Sequence, residues 1–512
     1  MRGSRTGRIS APNDPHRVTV SRRAVLQGIT ALLPLLPGAA TAAEAALTPE
    51  SFGARGDGTS DDTAAFRRLS AALQARGGGD VELRKGATYL VGSQAPAAGQ
   101  YLVGESILKA KGVERLVVRM NGATLKFRSG LRFGSFDRRG APLTAKLPFY
   151  DATARADIGR MIEATDVGYF SVTGGRIDCN SAGAVIGGLW GDSGRQCSQA
   201  GIVAYGCDKV DISDVEIVDS CLDGIILGYV GITARQPAKP FVLRRVRISR
   251  VARNCLSLVG TNSTLVEDCT FEKAGAAPRA GSATLNAPPA SCMDIEAEDA
   301  ECRNIIIRGT KLISGPGTYT ALVADSGPSR DILIEDSLLV GAVLAGKWGM
   351  RFNRCHIYGY FPRLSGGAAN PADNTLISDC TFADTSPAYG YAAKLPLSID
   401  LEGSGPGVRI VRTSISLSRT RLNLRGGVLQ NVTITFATGA DTIKNRDFAM
   451  LLDQASLTDV TIQEKIPAAR HPADAFYVTA PKSAIRSSIV SPGSKLLWNS
   501  WAVAAGGHAG KP

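Results

Sequence analysis

Apolar and polar residues alternate in a short pattern that recurs along most of the chain. Each copy is an octet of alternating apolar residues, a polar pair and a closing Ile, Leu or Phe. Alternation with a period of two predicts β-strands, because successive side chains of a strand point to opposite faces. The octets close at Leu125, Ile177, Ile217, Ile248, Phe271, Leu312, Leu339, Ile357, Phe382, Ile415, Ile434 and Ile462.

The spacing of the octets predicts a solenoid. From Ile217 onward, successive octets close 18 to 41 residues apart. One coil of a parallel β-helix takes about 20 to 30 residues, or more where a loop is inserted. We therefore expect an all-β fold in which each octet forms one strand of one coil. A βαβ fold is disfavoured because the intervals contain no helix of adequate length, whereas a β-sandwich or propeller remains the alternative.

One helix is expected ahead of the first coil. Over residues 61–75, Phe66, Leu69 and Leu73 fall on one face of a helix. A solenoid exposes the core of its first coil unless another element covers it. We therefore expect this helix to be an N-terminal cap.

The N-terminal segment predicts export. Arg22 and Arg23 precede an apolar stretch over residues 29–36, which is too short to span a membrane. A charged region, a short apolar region and A-x-A sequences are typical of a signal peptide, and the arginine pair resembles the twin-arginine motif. We expect residues 1–46 to be this signal and the mature protein to be periplasmic or secreted, without a membrane segment.

The rest of the chain is expected to form one domain with a short extension. The octets place the β-helix domain in residues 47–464. Residues 465–512 contain Trp498, Trp501 and a Gly-rich end, and we expect them to form a C-terminal cap or tail.

Composition and charge narrow the expected partners. High glycine (57 residues) with only 6% aromatic residues favours short strands and many turns. The chain carries 58 Lys and Arg against 46 Asp and Glu, a net charge of +12. A positive surface attracts polyanions such as acidic polysaccharides. The sequence has no basic run and no nucleic-acid-binding motif, so we expect a polysaccharide partner and no nucleic acid.

The cysteines follow the coil spacing. All ten lie between Cys179 and Cys380, and none forms a C-x-x-C pair, which argues against a zinc site. We expect them to stack in the core as free thiols, with disulfides as the alternative after export.

Family resemblance comes from the first glycine-rich segment. The sequence SFGARGDGTSDDTAAF, over residues 51–66, closely resembles the opening of the pectate-lyase-like superfamily, which includes relatives of family 28 glycoside hydrolases. Its Asp57-Gly58 pair suits a tight turn, so here the motif is structural. The resemblance extends over residues 50–460. It implies a single-stranded right-handed parallel β-helix and polysaccharide chemistry.

Three segments that begin with cysteine carry the candidate catalytic residues. CLDGI, CLSLV and CMDIE start at Cys221, Cys255 and Cys292. Glycoside hydrolysis needs two carboxyl groups, one as acid and one as base or nucleophile. If the segments align without gaps, three carboxylates form one outward cluster. These predicted catalytic residues are Asp223, Asp294 and Glu296. The side chains of Asp294 and Glu296 should lie on the same face of the strand, about 6 to 7 Å from each other. Repulsion between such carboxylates would raise the pKa of one of them.

Neighbouring polar residues are candidates for substrate binding. Ser257 shares the predicted ladder, Arg253 and Asn254 lie beside it, and Asp178 sits in a turn that resembles the Asp-Gly-Asn turn of the superfamily. We expect Arg253 to orient an anionic group of the substrate. Hydrolysis at such a site requires no cofactor, and no metal is expected.

Two other functions remain open. A polysaccharide lyase needs a base and a cation or arginine that stabilises the resulting anion, and the three carboxylates would then hold calcium. A non-catalytic glycan-binding or surface β-helix is the other alternative. The full motif set of polygalacturonases is absent: no Gly-His-Gly occurs, and His356 lies in an octet, where a structural role is expected. A glycoside hydrolase is slightly favoured.

Overall fold

The computed structural model describes most of the chain from Ala45 onward. The described residues are 45–143, 152–188, 197–229, 231–232, 235–281, 284–297, 300–314, 320–326, 329–345, 349–364, 375–383, 398–402, 408–417, 421–425, 427–436, 450–453, 455–464, 478–479, 484–486 and 489–490. Among them, no helix is both long enough and apolar enough to cross a bilayer.

The described part of the chain is built almost entirely of short strands. The one α-helix there is α1 (Thr63–Ala75), and single 3₁₀ turns occupy Pro49–Phe52, Ala152–Ala154 and Ser181–Gly183. The strands up to the candidate site are β1 (Asp57–Asp61), β2 (Gly78–Glu82), β3 (Thr88–Val91), β4 (Gln94–Ala97), β5 (Gln100–Gly104), β6 (Leu108–Lys111), β7 (Arg115–Arg119), β8 (Thr124–Phe127), β9 (Arg132–Ser135), β10 (Arg155–Ala156), β11 (Gly159–Thr165), β12 (Tyr169–Asp178), β13 (Val185–Gly187), β14 (Gln199–Tyr205), β15 (Lys209–Val218), β16 (Asp223–Gly228), β17 (Phe241–Arg244), β18 (Arg247–Val251), β19 (Leu256–Leu258), β20 (Thr264–Glu267), β21 (Thr270–Ala274) and β22 (Ser291–Glu296).

The remaining strands continue to the C-terminal region. They are β23 (Cys302–Arg308), β24 (Lys311–Ile313), β25 (Thr320–Ser326), β26 (Ser329–Glu335), β27 (Leu338–Ala345), β28 (Met350–Asn353), β29 (His356–Leu364), β30 (Leu376–Ser378), β31 (Thr381–Ala383), β32 (Ser398–Glu402), β33 (Arg409–Val411), β34 (Ser414–Leu417), β35 (Arg421–Arg425), β36 (Val428–Phe436), β37 (Met450–Asp453), β38 (Ser456–Glu464), β39 (Val478–Thr479), β40 (Ala484–Arg486) and β41 (Ile489–Val490).

Parallel pairing between successive coils arranges most of these strands in three columns, whereas β4, β5, β9, β10 and β13 form a separate small sheet. One column, which we call the site column, runs through β6, β11, β14, β16, β19, β22 and β25. A second runs through β7, β12, β15, β17, β20, β23 and β26, and a third through β8, β12, β15, β18, β21, β24 and β27. The predicted all-β parallel β-helix is confirmed, and its apolar interior forms one continuous core.

A left-handed residue turns the chain at the fifth position of each octet. Asp214, Arg245 and Asp268 have φ angles of 57°, 52° and 54°, and Gly309 occupies the same position with a φ of 58°. Residues before this corner pair in the second column and those after it in the third. In most coils the octet therefore contains the end of one strand, a corner and the start of the next strand, whereas in β12, β15, β36 and β38 a single strand continues through the corner, as alternation predicts.

Charged corner residues pair between neighbouring coils. A left-handed conformation is unfavourable for arginine, and several corner arginines are held by both carboxylate oxygens of a corner aspartate. Such pairs are Arg245 with Asp214, Arg354 with Asp336, and Arg412 with Asp379. They lie at the surface, where water and salt screen them, so they add little to stability. They account for the charged residue at the corner of the octets that carry these pairs.

The cysteines are core residues. All ten are buried and free, as expected. Cys269 and Cys380 follow the corner directly, where Thr310 and Ser337 in other coils donate a hydroxyl hydrogen bond to the carbonyl two residues earlier. Burial raises the pKa of the Cys269 thiol to about 12, so at neutral pH it is an uncharged core side chain.

Helix α1 covers the edge of the site column. Its apolar residues Phe66, Leu69 and Leu73 are fully buried. On the same helix, Ser70 accepts a hydrogen bond from the backbone N–H of Lys109, and Gln74 bonds both backbone groups of Lys111, all on β6. These side chains satisfy edge groups of a strand that would otherwise be open to another chain.

The glycine-rich opening is a turn, as the sequence predicts. The Asp62 carboxylate accepts hydrogen bonds from the backbone N–H groups of Arg55 (2.7 Å) and Gly56 (3.0 Å). Gly56 has a φ of 58°, and a Cβ there would lie 2.8 Å from the ring of Tyr89. The Asp62 carboxylate therefore ties the chain entry to the start of α1.

The two predicted terminal segments are described only in part. The predicted signal, residues 1–46, lies outside the described residues except for its last two positions. In residues 465–512, β40 and β41 pair in parallel with β38, and β39 pairs with β37, so coil pairing continues there. Trp498 and Trp501 lie outside the described residues.

Candidate functional site

The candidate residues lie on three successive strands of the site column. Strands β16, β19 and β22 pair in parallel, and their register places Ile226, Ser257 and Asp294 side by side. Leu256 and Met293, which precede the last two, pack in the core. Because side chains alternate along a strand, the row of Ser257 and Asp294 lies on the outer face of the column.

The gap-free alignment of the cysteine segments is correct for two segments and wrong for the third. Ser257 pairs with Asp294 as predicted. Its partner on β16 is Ile226, three residues beyond Asp223. Cys221 begins a core-facing Cys-Leu pair that precedes β16. Such pairs face the core at different points of the coil, so sequence similarity alone did not reveal the shift.

Asp223 nevertheless reaches the site from the start of β16. Its side chain is fully buried. Two guanidinium nitrogens of Arg253 donate to it, Nε at 2.8 Å, and the backbone N–H of Asn254 donates at 2.9 Å. The Ser257 hydroxyl contacts the second oxygen at 3.5 Å. Protein donors thus engage both oxygens of Asp223, which suits an anchoring role better than the predicted catalytic one.

Asn254 connects the buried carboxyl groups. Its Oδ1 accepts a hydrogen bond from the backbone N–H of Ser291 at 3.0 Å. Its Nδ2 donates to Ser257 Oγ at 3.1 Å and to Asp294 Oδ2 at 3.0 Å. Asp223, Asn254, Ser257 and Asp294 therefore form one hydrogen-bonded network that spans three coils.

Asp294 is a buried carboxyl group with a strongly raised pKa. It points away from the core, yet only 3% of the residue is exposed. Burial, together with the negative charge of Glu296, raises the pKa of Asp294 to about 8, although Arg253 and the Asn254 hydrogen bond oppose this shift. Asp294 is therefore mainly protonated at neutral pH and is able to donate a proton.

Glu296 supplies the second carboxylate. It ends β22, two residues after Asp294 on the same face, and is half-buried. Its effect on the pKa of Asp294 shows that the two groups interact. The two carboxyl groups lie two residues apart on β22, and their separation stays a prediction.

An apolar platform next to the carboxylates was not anticipated. Tyr205 pairs with Gly228 across β14 and β16, and Val259 follows in the same outer row. A Cβ at Gly228 would lie 2.5 Å from Val259 Cγ2 and 3.1 Å from Tyr205 Cε1, so the two side chains meet over this glycine. Both pack against a small apolar cluster outside the core. No motif marks these residues, because their juxtaposition depends on coil register.

Two predicted substrate-binding residues have other surroundings. Asp178 ends β12, outside the site column; it pairs with Lys126 at 3.3 Å and accepts a hydrogen bond from the backbone of Asn180. The hydrogen bond from Asn180 forms a turn, and neither contact of Asp178 involves a residue of the hydrogen-bonded network. The Arg253 guanidinium binds Asp223, and only 14% of its side chain is exposed. Its expected role in orienting an anionic substrate group is not supported by this geometry.

The site residues do not fit a calcium ion. Calcium takes six to eight oxygen ligands. The oxygens of Asp223 are occupied by donors from Arg253 and Asn254, and the guanidinium charge would repel a cation. In the part of the chain that the structure describes, no group of three or more His, Cys, Asp or Glu side chains is placed to hold a metal.

Comparison of sequences gives one short match. No protein-family profile matches the chain. A stretch of 78 residues is 37% identical to the uncharacterized protein YclG of Bacillus subtilis (strain 168), which covers 15% of this chain and 13% of YclG. The match spans only a small part of either protein.

Solved structures give distant matches. The chain is similar to the A-module of the Azotobacter vinelandii mannuronan C-5 epimerase AlgE4, with a TM-score of 0.43 and 14% identity, over 89% of this chain and 98% of that module. It is also similar to a mutant tailspike protein of E. coli bacteriophage HK620, with a TM-score of 0.42 and 12% identity, over 89% and 76% of the two chains. TM-scores this low carry no inference about activity.

Proposed function

We propose that this protein is a polysaccharide-cleaving glycoside hydrolase in which Asp294 is the general acid and Glu296 the second carboxylate. The observation that carries this proposal is the burial of Asp294 on the outer face of the solenoid, two residues before Glu296, where burial raises its pKa to about 8. Glycosidic cleavage needs an acid that keeps its proton at neutral pH and a second carboxylate that acts as base or nucleophile.

The same geometry favours hydrolysis over lyase chemistry. A lyase needs a base at neutral pH and a cation or arginine at the substrate carboxylate. Asp294 is protonated at that pH, and the Arg253 guanidinium lies against Asp223. A strongly raised carboxyl pKa next to a second carboxylate favours an enzyme over a glycan-binding protein without activity.

Substrate class and cellular location complete the proposal. The platform of Tyr205 and Val259 suits the apolar face of a pyranose ring next to the carboxylates. The positive net charge supports an acidic polysaccharide. The twin-arginine-like Arg22-Arg23 pair and the resemblance of residues 51–66 to the pectate-lyase-like superfamily support action outside the inner membrane.

A polysaccharide screen tests the reaction type. The purified protein is incubated with polygalacturonate, alginate and xylan, and both reducing ends and the ultraviolet absorbance of unsaturated products are followed. We expect new reducing ends without new absorbance, because hydrolysis adds water across the bond. An increase in absorbance would indicate a lyase instead. Binding to one polymer with neither signal would indicate a non-catalytic glycan-binding protein.

The role of Asp294 is tested by an isosteric substitution. Asp294→Asn keeps the volume but removes the transferable proton, so kcat on the substrate found should fall by about 10²-fold or more. Asp211→Asn is the matched control, because Asp211 lies half-exposed on β15, in a different column. We expect the control to keep the wild-type rate. Equal rates for the two variants would exclude Asp294 as the acid.

The pH dependence follows from the raised pKa of Asp294. An acid works only while protonated, so kcat/KM should be maintained through neutral pH and fall as the pH rises through about 8. Initial rates between pH 5 and 10 measure this limb, with Asp211→Asn as a second enzyme that should show the same profile. A rate that increases between pH 7 and 9 would contradict an acid role and favour a base.

Tyr205 is expected to contribute to binding rather than chemistry. Tyr205→Ala removes a stacking contact worth about 1.4 kcal/mol, so KM should rise about tenfold while kcat stays within about twofold. Tyr169→Ala is the control, since that ring lies on β12 against Lys209, 4.9 Å from its centroid. A Tyr205→Ala enzyme with unchanged KM would remove the platform from the proposal.

A further inference from the structure

The orientation of the Asn254 amide is determined by a backbone group. Oxygen and nitrogen of an asparagine amide differ in what they offer, since only the oxygen accepts and only the nitrogen donates. The Ser291 backbone N–H, a donor, lies 3.0 Å from one end of the Asn254 amide, which must therefore be Oδ1. The opposite end is the NH₂ group, and it faces Ser257 and Asp294.

This orientation decides which oxygen of Asp294 carries the proton. Asn254 Nδ2 donates to Asp294 Oδ2 at 3.0 Å. A proton on Oδ2 would face the amide hydrogen and lose that hydrogen bond. A protonated carboxyl group has one O–H and keeps its other oxygen as an acceptor, so the proton belongs on Oδ1.

Asn254 is itself held by an anchor. Its backbone N–H donates to Asp223 Oδ1 at 2.9 Å, and Asp223 is held by two nitrogens of the neighbouring Arg253. The second hydrogen of Nδ2 goes to Ser257 Oγ at 3.1 Å, which turns the Ser257 hydroxyl hydrogen toward Asp223 Oδ2, 3.5 Å away. Asn254, Ser257 and Asp223 are almost completely buried. The donor and the acceptor of every hydrogen bond in the network are therefore determined.

We propose that Asn254 is a positioning residue that confines the proton of Asp294 to Oδ1 and stabilises the carboxylate that remains after proton transfer. The Asp223–Arg253 pair anchors Asn254. The catalytic consequence rests on the proposed function, whereas the proton placement does not. In the reaction, Asp294 Oδ1 gives its proton to the glycosidic oxygen as the bond from that oxygen to the anomeric carbon breaks, and the leaving group departs as an alcohol. The anomeric carbon forms its new bond either to a Glu296 oxygen, in an ester that water then hydrolyses, or directly to a water whose proton Glu296 takes.

Asn254 stabilises the ionised form of Asp294 more than the protonated form. A hydrogen bond from an amide to a carboxylate is stronger than one to a neutral carboxyl group. The Asn254 bond therefore strengthens as Asp294 loses its proton, which lowers the barrier for the transfer. The same effect lowers the pKa of Asp294 from the value that burial and Glu296 alone would produce.

Infrared titration tests the proton placement without any substrate. The protonated C=O band of Asp294 is identified in the difference between spectra of the wild-type protein and Asp294→Asn, and its intensity is followed with pH. Asn254→Leu removes the donor at similar volume, so the titration midpoint should rise by about one pH unit and the band should shift in frequency. Ser257→Ala keeps the bond from Asn254 to Asp294 and should move the midpoint by less than about 0.3 unit.

A second variant covers the case in which Asn254→Leu does not fold. Asn254→Asp keeps an acceptor for the Ser291 N–H but replaces the donor with a like charge, so the midpoint should also rise. An unchanged or lowered midpoint in the folded variant overturns the proposal. A merely structural role would lower thermal stability without moving the midpoint or the band.

Kinetics separate this proposal from the proposed function. On a confirmed substrate, Asn254→Leu should lower kcat about tenfold or more with KM unchanged, and the alkaline limb of kcat/KM should move to higher pH. An active enzyme with an unmoved infrared midpoint overturns the role of Asn254 alone. A moved midpoint in a protein that cleaves none of the polymers overturns the hydrolase proposal and leaves the proton placement intact.

Discussion

Backbone hydrogen bonding between successive coils is the constraint on which the rest of this structure depends. Each strand of the three columns pairs in parallel with its equivalents in neighbouring coils, so side chains at equivalent positions lie in rows about 4.8 Å apart. The pairing tolerates insertions between strands but not a change of register, because a slip would move core residues to the surface. The corner residues follow from it: each coil turns at the same place, with a left-handed residue in each.

The same constraint brings together residues that are far apart in the chain. Asp223, Asn254 and Asp294 come from three coils, and coil stacking places them within hydrogen-bonding distance. A solenoid can thus present a precise polar cluster on its outer face while its core consists of ordinary apolar rows.

Electrostatics give the two buried carboxyl groups different roles. Asp223 lies against the Arg253 guanidinium and accepts further hydrogen bonds, so its charge is compensated within the protein. Asp294 faces Glu296 and the Asn254 amide. Burial and the negative charge of Glu296 raise its pKa to about 8, so it keeps its proton at neutral pH. Environment rather than residue type separates the anchor from the acid.

Local patterns along the chain are sufficient to predict the class of fold and the position of the capping helix, because neither depends on contacts between distant residues. Alternation predicted strands, the octet spacing predicted coils, and the apolar face of α1 predicted a helix that covers the column. The sequence also predicted that Asp294 and Glu296 lie together, since residues two apart on one strand share a face. Other features become apparent only in three dimensions. These are the register of β16, the burial of Asp294 and the ion pair of Arg253 with Asp223. The contact of Tyr205 with Val259 over Gly228 is a further one. These features depend on which residues of different coils lie side by side and on what covers them, and neither is encoded in a single stretch of chain.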